Sequence, residues 1–301
     1  MDPPIKVFSR ADNICTSTMN FQSITLDYIR SELIRQEDTI IFCLIERCQF
    51  KHNSQIYKSI IECAFGKPTA VENSGETPVA AGCSDSQAEP YYILDCANLA
   101  PTLDLKSVLH ELECVFSRIR RYTSPDELPF TKPLSEILLP PIEYPNILAQ
   151  NNININGLIL ETYIQKIIPL ICIPGSDGNL GSSCTRDVET LQALSRRIHM
   201  GLFVAEAKFN DTETHKEYCR LIKNRDRQGI MDLLTNAAVE ERLLKRIAKK
   251  ALVYGQEIDE NELILSDSHV KIDPAIVVDM YRSFVIPLTK QVEVDYLLQR
   301  L

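Results

Sequence analysis

The sequence predicts an all-α protein, a single-domain bundle of many helices with several long ones. Three observations predict it. Apolar residues recur at three- and four-residue steps over long stretches, the period of a helix buried on one side. Glycine is scarce, 10 in 301 residues, against a usual ~7%; that disfavours turn-rich β folds and Gly-rich phosphate loops. Hydrophobic residues make up 45% of the chain, enough to bury a core and to exclude a mostly disordered one.

Residues 1–20 read as a loose tail ahead of a helical domain at 21–301. The first helix begins after Thr25, a suitable N-cap, and runs to about Arg47, with Leu26, Ile29, Leu33, Ile40, Ile41, Leu44, Ile45 and Cys48 at helical spacing. Asp27 suits the positive end of its dipole. Residues 66–90 collect Pro, Gly, Ser and acids and are expected to form a mobile loop insertion. A second helix is expected over 104–122, with Leu105, Val108, Leu112, Val115 and Ile119 on one side. Prolines 125, 129, 133, 140, 141 and 145 then mark an irregular crossover over 124–149.

Helical periodicity resumes from Leu158 to Cys172. After turn signals at Pro174, Gly175, Gly178 and Gly181 comes the longest candidate, about Cys184 to Phe209. Shorter helices are expected at 212–223 and 226–234, then longer ones at 235–254 and 273–300. Asp273-Pro274 opens the last as N-cap and N1 proline. Pro287 should kink that helix unless a neighbour satisfies the freed carbonyl.

The charge balance excludes some functions. With 41 acidic against 32 basic residues, the formal net charge is −9, which argues against a nucleic-acid partner, since that needs a basic surface. Lys245, Arg246, Lys249 and Lys250 form the main cationic run, but Glu240 and Glu241 lie one turn earlier, so it reads as a salt-bridged solvated face. No apolar run approaches the ~18 residues of a membrane span. The ten cysteines form no CxxC pair, and the Met-Asp-Pro-Pro start lacks the apolar region of a secretory signal. These features predict reduced thiols in a cytoplasmic protein, with a trimmed plastid transit peptide as the lesser alternative.

Chemistry is sought among polar residues on apolar helix faces. Arg197, Gly201, Val204 and Lys208 share one stripe, with the two cations about 16 Å apart along the axis. They read either as a clamp on a small dianion, with Gly201 leaving room for it, or as two solvated cations. Asn236 and Glu240 are an i,i+4 pair leading into Leu243 and Ile247: a pocket rim or a surface patch. Thr289 and Glu293 repeat the arrangement, and Arg30 lies between Ile29 and Leu33. Glu293 aimed at solvent and Arg30 in a surface salt bridge are the competing accounts. There is no GxSxG, P-loop, HExxH or GxGxxG, and the five histidines do not cluster in sequence.

Several segments resemble the eukaryotic, yeast-like, all-helical chorismate mutases. They are Ile29 to Phe42 (IRSELIRQEDTIIF), Ser117 to Asp126 (SRIRRYTSPD), Thr185-Arg-Asp187, Leu194 to His199 (LSRRIH), Phe203 to Phe209 (FVAEAKF), Ala238 to Glu241 (AVEE), and Ile286 to Leu298 (IPLTKQVEVDYLL). The likeness covers about 22–50 and 104–301, whereas 51–103 departs from it. It implies a homodimer with the active site inside each subunit's own bundle. Carried over, Arg30 and Arg197 hold two substrate carboxylates, and Lys208 and Glu293 reach the ether oxygen. Glu240 takes the ring hydroxyl, Asn236 and Thr289 orient a carboxylate, and Val204 lines the site. It also implies an aromatic amino-acid effector site, tyrosine inhibiting and tryptophan activating, built from Arg120, Arg121, Gly181, Ser182 and Thr185.

The reaction so implied, chorismate to prephenate in phenylalanine and tyrosine biosynthesis, is an intramolecular Claisen-type rearrangement. It requires no metal or redox cofactor, only a held conformer and stabilised charge on the ether oxygen. The alternative is a catalytically inactive helical protein that senses effectors or binds partners on the same scaffold. Retention of Arg30, Arg197, Lys208, Glu240 and Glu293 argues against it.

Overall fold

A computed structural model describes residues 25–65, 93–96, 104–142, 144–256 and 270–300. The expected tail at 1–20 and loop at 66–90 lie outside the described residues. Helix α1 spans Leu26–Cys48, and the Thr25 hydroxyl accepts the Tyr28 N–H at 3.2 Å, satisfying one of the N–H groups a helix start leaves unpaired. A short helix that periodicity did not mark, α2 (Lys58–Phe65), follows a 3-10 turn at Ser54–Tyr57.

Helix α3, Leu105–Arg118, starts where Asp104 accepts the Ser107 N–H at 2.8 Å. It ends before the expected residue 122 because Arg120 adopts a left-handed φ of 69°. Its predicted stripe is corrected. Leu105 and Leu109 are buried, but Val115 and Ile119 are 48% and 57% exposed. The buried Glu113 carboxylate turns the helix. It accepts the N–H groups of Phe130 and Thr131, the Thr131 hydroxyl and the Gln192 amide, so the inward line runs through Glu113.

The crossover carries a two-residue parallel pair, β1 (Leu94–Asp95) with β2 (Thr131–Lys132). Helices α4 (Asn156–Thr162) and α5 (Ile168–Ile171) run on through a π turn at Tyr163–Ile167. The expected long helix is present as α6 (Leu180–His199) and α7 (Gly201–Phe209), separated at Met200. Then come α8 (His215–Lys223), α9 (Arg227–Leu234) and α10 (Ala237–Tyr254). Finally α11 (Pro274–Met280) and α12 (Ile286–Gln299) join through a π turn at Tyr281–Val285. Pro169 and Pro287 each stand two residues after a π turn. The wider turn accommodates the missing N–H, so the last helix continues past Pro287.

Helix α1 packs along α6 and touches α7 and α10; α12 packs along α7, α6 and α9. Their facing residues include Ile40, Ile41 and Leu44 of α1, Leu191, Leu194 and Ile198 of α6, and Val292, Val294 and Leu297 of α12. A buried ion pair joins α1 to α6: Arg47 Nε donates to Asp187 Oδ1 at 2.6 Å, and Asp187 also accepts the Tyr57 and Tyr163 hydroxyls at 2.8 Å. The remaining guanidinium hydrogens go to the carbonyls of Phe50, Lys51 and His52, the Tyr57 hydroxyl and Cys172 Sγ. Full satisfaction is what makes a buried pair tolerable.

Candidate active site

Three helices bring polar groups into the bundle interior. Arg197 comes from the last turn of α6, Lys208 from the last turn of α7, and Thr289 and Glu293 from adjacent turns of α12. Arg197 is 4% exposed; its Nη1 donates to Thr289 Oγ1 at 3.4 Å, while its Nε has no hydrogen-bond partner among the described residues. Burial pulls its pKa down. Among the described residues no carboxylate oxygen lies within ion-pair distance of it, so the charge stays in low dielectric without a direct counter-ion. The hydroxyl of Tyr281, fully buried and likewise without a hydrogen-bond partner among the described residues, faces it.

Lys208 Nζ donates to the Leu234 carbonyl at 2.9 Å and to Glu293 Oε2 at 3.3 Å. Glu293 is 6% exposed. Burial raises its pKa; Lys208 first, then Arg197 and Lys290, pull against that. The result is a carboxyl that holds its proton to higher pH than an ordinary glutamate, beside an ammonium. Such a pair presents two donors to one point: N–H from the ammonium and O–H from the neutral acid.

Glu240 stands at the edge of this group, where Lys290 of α12 holds it at 2.7 Å. Lys290, next to Thr289 in sequence, therefore belongs to the constellation although periodicity alone gave it no inward role. Asn236 is exposed and caps α10, its side-chain oxygen taking the Val239 N–H at 3.1 Å. Val204 is half-buried on α7. Arg30 is not brought into the group: its side chain is 59% exposed and pairs with Asp27 at 2.8 Å. Gly201 also differs from expectation. A Cβ there would lie 2.8 Å from the Thr289 carbonyl oxygen and 3.3 Å from Glu293 Cγ, so the missing side chain admits the α12 backbone, not a ligand.

Three of the α10 cations are committed elsewhere. Arg246 makes a two-bond contact with the buried Glu37 of α1 at 2.8 and 2.7 Å, Lys250 reaches Glu37 and Asp38, and Lys245 pairs with Glu241. This pairing across to α1 left no trace in the local sequence, because partners 209 residues apart share no period.

A concavity of about 460 Å³, apart from this group, opens between α1, α3 and α6. Arg121 and Thr185 line it, with Gln36, Phe116 and Arg196. Arg121 pairs with Glu127 at 3.0 Å and lies over the Phe116 ring. Arg120 instead donates to the Pro140 carbonyl, and Gly181 and Ser182 are exposed in the first turn of α6, where Thr185 Oγ1 donates to the Gly181 carbonyl at 3.0 Å. Arg121 and Thr185 are thus brought to one cavity, while Arg120, Gly181 and Ser182 stand outside it.

The family model described as chorismate mutase type II matches residues 182–294, the segment carrying Arg197, Lys208, Glu240, Thr289 and Glu293. Chorismate mutase of Schizosaccharomyces pombe is 42% identical over 281 residues, 93% of this chain and 98% of that protein. The crystal structure of the Candida albicans Aro7p chorismate mutase in complex with L-Trp superposes with a TM-score of 0.71, at 39% identity and 91% coverage of both chains. AtCM1 with tyrosine bound in its allosteric site gives 0.69 at 35% identity, covering 93% of this chain and 98% of the other.

Proposed function

Because the chain belongs to the chorismate mutase family, we propose that Arg197, Lys208, Thr289 and Glu293 are the groups on which its rearrangement of chorismate to prephenate turns. The observation that carries this assignment is the buried Arg197 guanidinium without a direct counter-ion, one helix away from the Lys208–Glu293 pair. An interior cation that Glu37 and Glu293 reach only from beyond ion-pair distance burdens the fold, and a carboxylate of the substrate offsets that by charge-assisted hydrogen bonds.

The substrate dianion is held in its compact conformer by Arg197 and Thr289. As the ether C–O bond lengthens, charge grows on the oxygen. Lys208, aimed by the Leu234 carbonyl, donates to it, and protonated Glu293 donates from the other side. Glu240, fixed by Lys290, accepts the ring hydroxyl. Asn236 and Val204 complete the substrate contacts at the rim, and Arg30 reaches the second carboxylate by exchanging its exposed contact with Asp27 for the ligand. The test is the loss of chorismate absorbance with purified protein. Turnover abolished in Arg197→Ala and Lys208→Ala supports the assignment; near-normal turnover in either removes that residue from it.

The enzyme is allosterically regulated, as its family and the effector-bound relatives support. The effectors proposed here are tyrosine as inhibitor and tryptophan as activator, bound by Arg121 and Thr185 with Arg120, Gly181 and Ser182 contributed around them. A homodimer is proposed with them, because Val115 of α3, Ile119 at its C-cap and Leu138 of the crossover leave an apolar surface beside that cavity. Rates with and without each amino acid test the effectors; unchanged rate and cooperativity with both would remove this part. No helix of the described residues is long and apolar enough to cross a membrane. The free thiols of Cys96, Cys172 and Cys184, all buried, suit the reducing cytoplasm, which cell fractionation checks.

A further inference from the structure

Beside the proposed catalytic pair lies a buried cluster to which that chemistry assigns nothing. Glu206 of α7, two residues before Lys208, is 6% exposed. Its carboxylate accepts the Tyr296 hydroxyl at 2.5 Å, Arg300 Nε at 2.9 Å, Arg300 Nη2 at 3.2 Å and the Asn210 amide at 2.9 Å. Tyr296, 1% exposed, in turn accepts the Ala149 N–H of the crossover at 2.8 Å. Tyr296 sits three residues after Glu293, on the same face of α12. The cluster therefore ties the α7 turn bearing Lys208 to the α12 turn after Glu293.

Gly201 is the other tie. Its missing Cβ lets α7 approach the Thr289 carbonyl, one turn before Glu293. These two contacts, at Gly201 and at Glu206, join α7 to α12 at separate points along their length. The Lys208 side chain leans back toward its helix N-terminus, as helical side chains do, and arrives 3.3 Å from Glu293. A hydrophobic pair in place of Glu206 and Tyr296 would hold the helices together but would not fix their register to a hydrogen-bond length.

We propose that Glu206 and Tyr296, braced by Arg300, are positioning residues for the rearrangement: their hydrogen bond sets the α7–α12 register that places Lys208 against Glu293. This rests on the roles given to Lys208 and Glu293 above. The device acts through those two groups and touches no substrate. Loosening it draws the Lys208 ammonium away from Glu293, leaving Arg197, Lys290 and the Tyr218 hydroxyl as the groups facing that carboxyl. Lys208 favours the ionised form of Glu293, so its withdrawal keeps the acid protonated to higher pH.

The experiment compares pH profiles of kcat and KM for wild type, Tyr296→Phe and Arg300→Ala, with thermal unfolding of each. Tyr296→Phe removes one hydroxyl and keeps the ring. The expected result is a fall in kcat of up to about 10²-fold, the loss a ~1 Å misplacement can cause, with KM little changed and the alkaline limb displaced to higher pH. Arg300→Ala, at a partly exposed side chain near the chain end, should move the same quantities less and keeps the test open if Tyr296→Phe fails to fold. Wild-type kcat and limb in the folded variants overturn the proposal. So does a loss of activity that tracks thermal stability while the limb stays in place. Glu293→Gln run alongside separates the two readings. If its profile superimposes on wild type, the acid role of Glu293 fails, and an unchanged kcat in Tyr296→Phe is then what removes the positioning role.

Discussion

At the residue scale the site depends on two donors whose protonation differs in origin. Lys208 donates at any pH where it is an ammonium, and its removal deletes one preorganised donor, a loss of roughly 3–4 kcal/mol in the barrier. Lys208→Ala should therefore lower kcat by about 10²–10³-fold, with circular dichroism unchanged; near-normal turnover would end the assignment. Glu293 donates only as the neutral acid. Burial raises its pKa, so the active form persists above the usual carboxylate range and is lost as pH rises through the raised value. Activity should fall on that alkaline side, and Glu293→Gln, an amide that donates at every pH, should flatten the fall. Spacing left Lys208 and Glu293 open between an interior clamp and solvated charges, and their roles came with the family resemblance; α7 and α12 are apolar on several sides, so only their packing brings the two side chains together. Arg30 sits in the second turn of α1 with Asp27 three residues before it, and a local pair took the side chain. Gly201 was legible as a special position but not in its sense: the sequence shows a missing Cβ, whereas only packing shows that the α12 backbone fills the space.

Between elements, precision comes from contacts that no periodicity announces. Helix α7 meets α12 through Gly201, and a methyl there would come within 2.8 Å of the Thr289 carbonyl oxygen. Gly201→Ala must push the helices apart, at an overpacking cost of about 1–3 kcal/mol. It should lower kcat more than urea unfolding shows it lowers stability, because Thr289 and Glu293 move with the backbone; equal losses would mean the close approach serves the fold alone. The α1–α6 junction has its own determinant in Arg47 and Asp187, both 0% exposed. Arg47→Met leaves the buried Asp187 carboxyl with only two phenols, which should cost about 3–5 kcal/mol in urea unfolding. A change under 1 kcal/mol would show that the tyrosines alone satisfy it. Helix existence was readable throughout the periodic stretches, and Thr25, Asp104, Asp226 and Asp273 each cap a helix. What was not readable was the roll of α3, since the inward position is taken by Glu113, whose partners lie in the crossover and on α6. Nor was the π turn ahead of Pro287, which depends on how the whole helix is held.

For the molecule as a whole, the same roll of α3 decides which surface is left to solvent. Turning Glu113 inward turns Val115 and Ile119 outward, and the crossover adds Ile137, Leu138, Leu139 and Ile142, all at least 42% exposed. Scattered exposed leucines are ordinary, but a contiguous apolar face beside a cavity marks an interaction surface. A second copy of the chain is the occupant that the family resemblance implies. Arg197 with Thr289, and Lys208 with Glu293, interact within one chain, which predicts that turnover does not require assembly. The double substitution Ile119→Glu with Leu138→Glu should convert a dimer to monomers in light scattering, since opposed like charges in an apolar interface cost several kcal/mol. Turnover at saturating chorismate should survive. The response to tyrosine and tryptophan should be lost, because Arg121 stands two residues from Ile119 at the cavity rim. A wild-type protein already monomeric at working concentration would remove the dimer. A monomeric variant that loses turnover outright would place part of the active site across the interface instead of within one bundle.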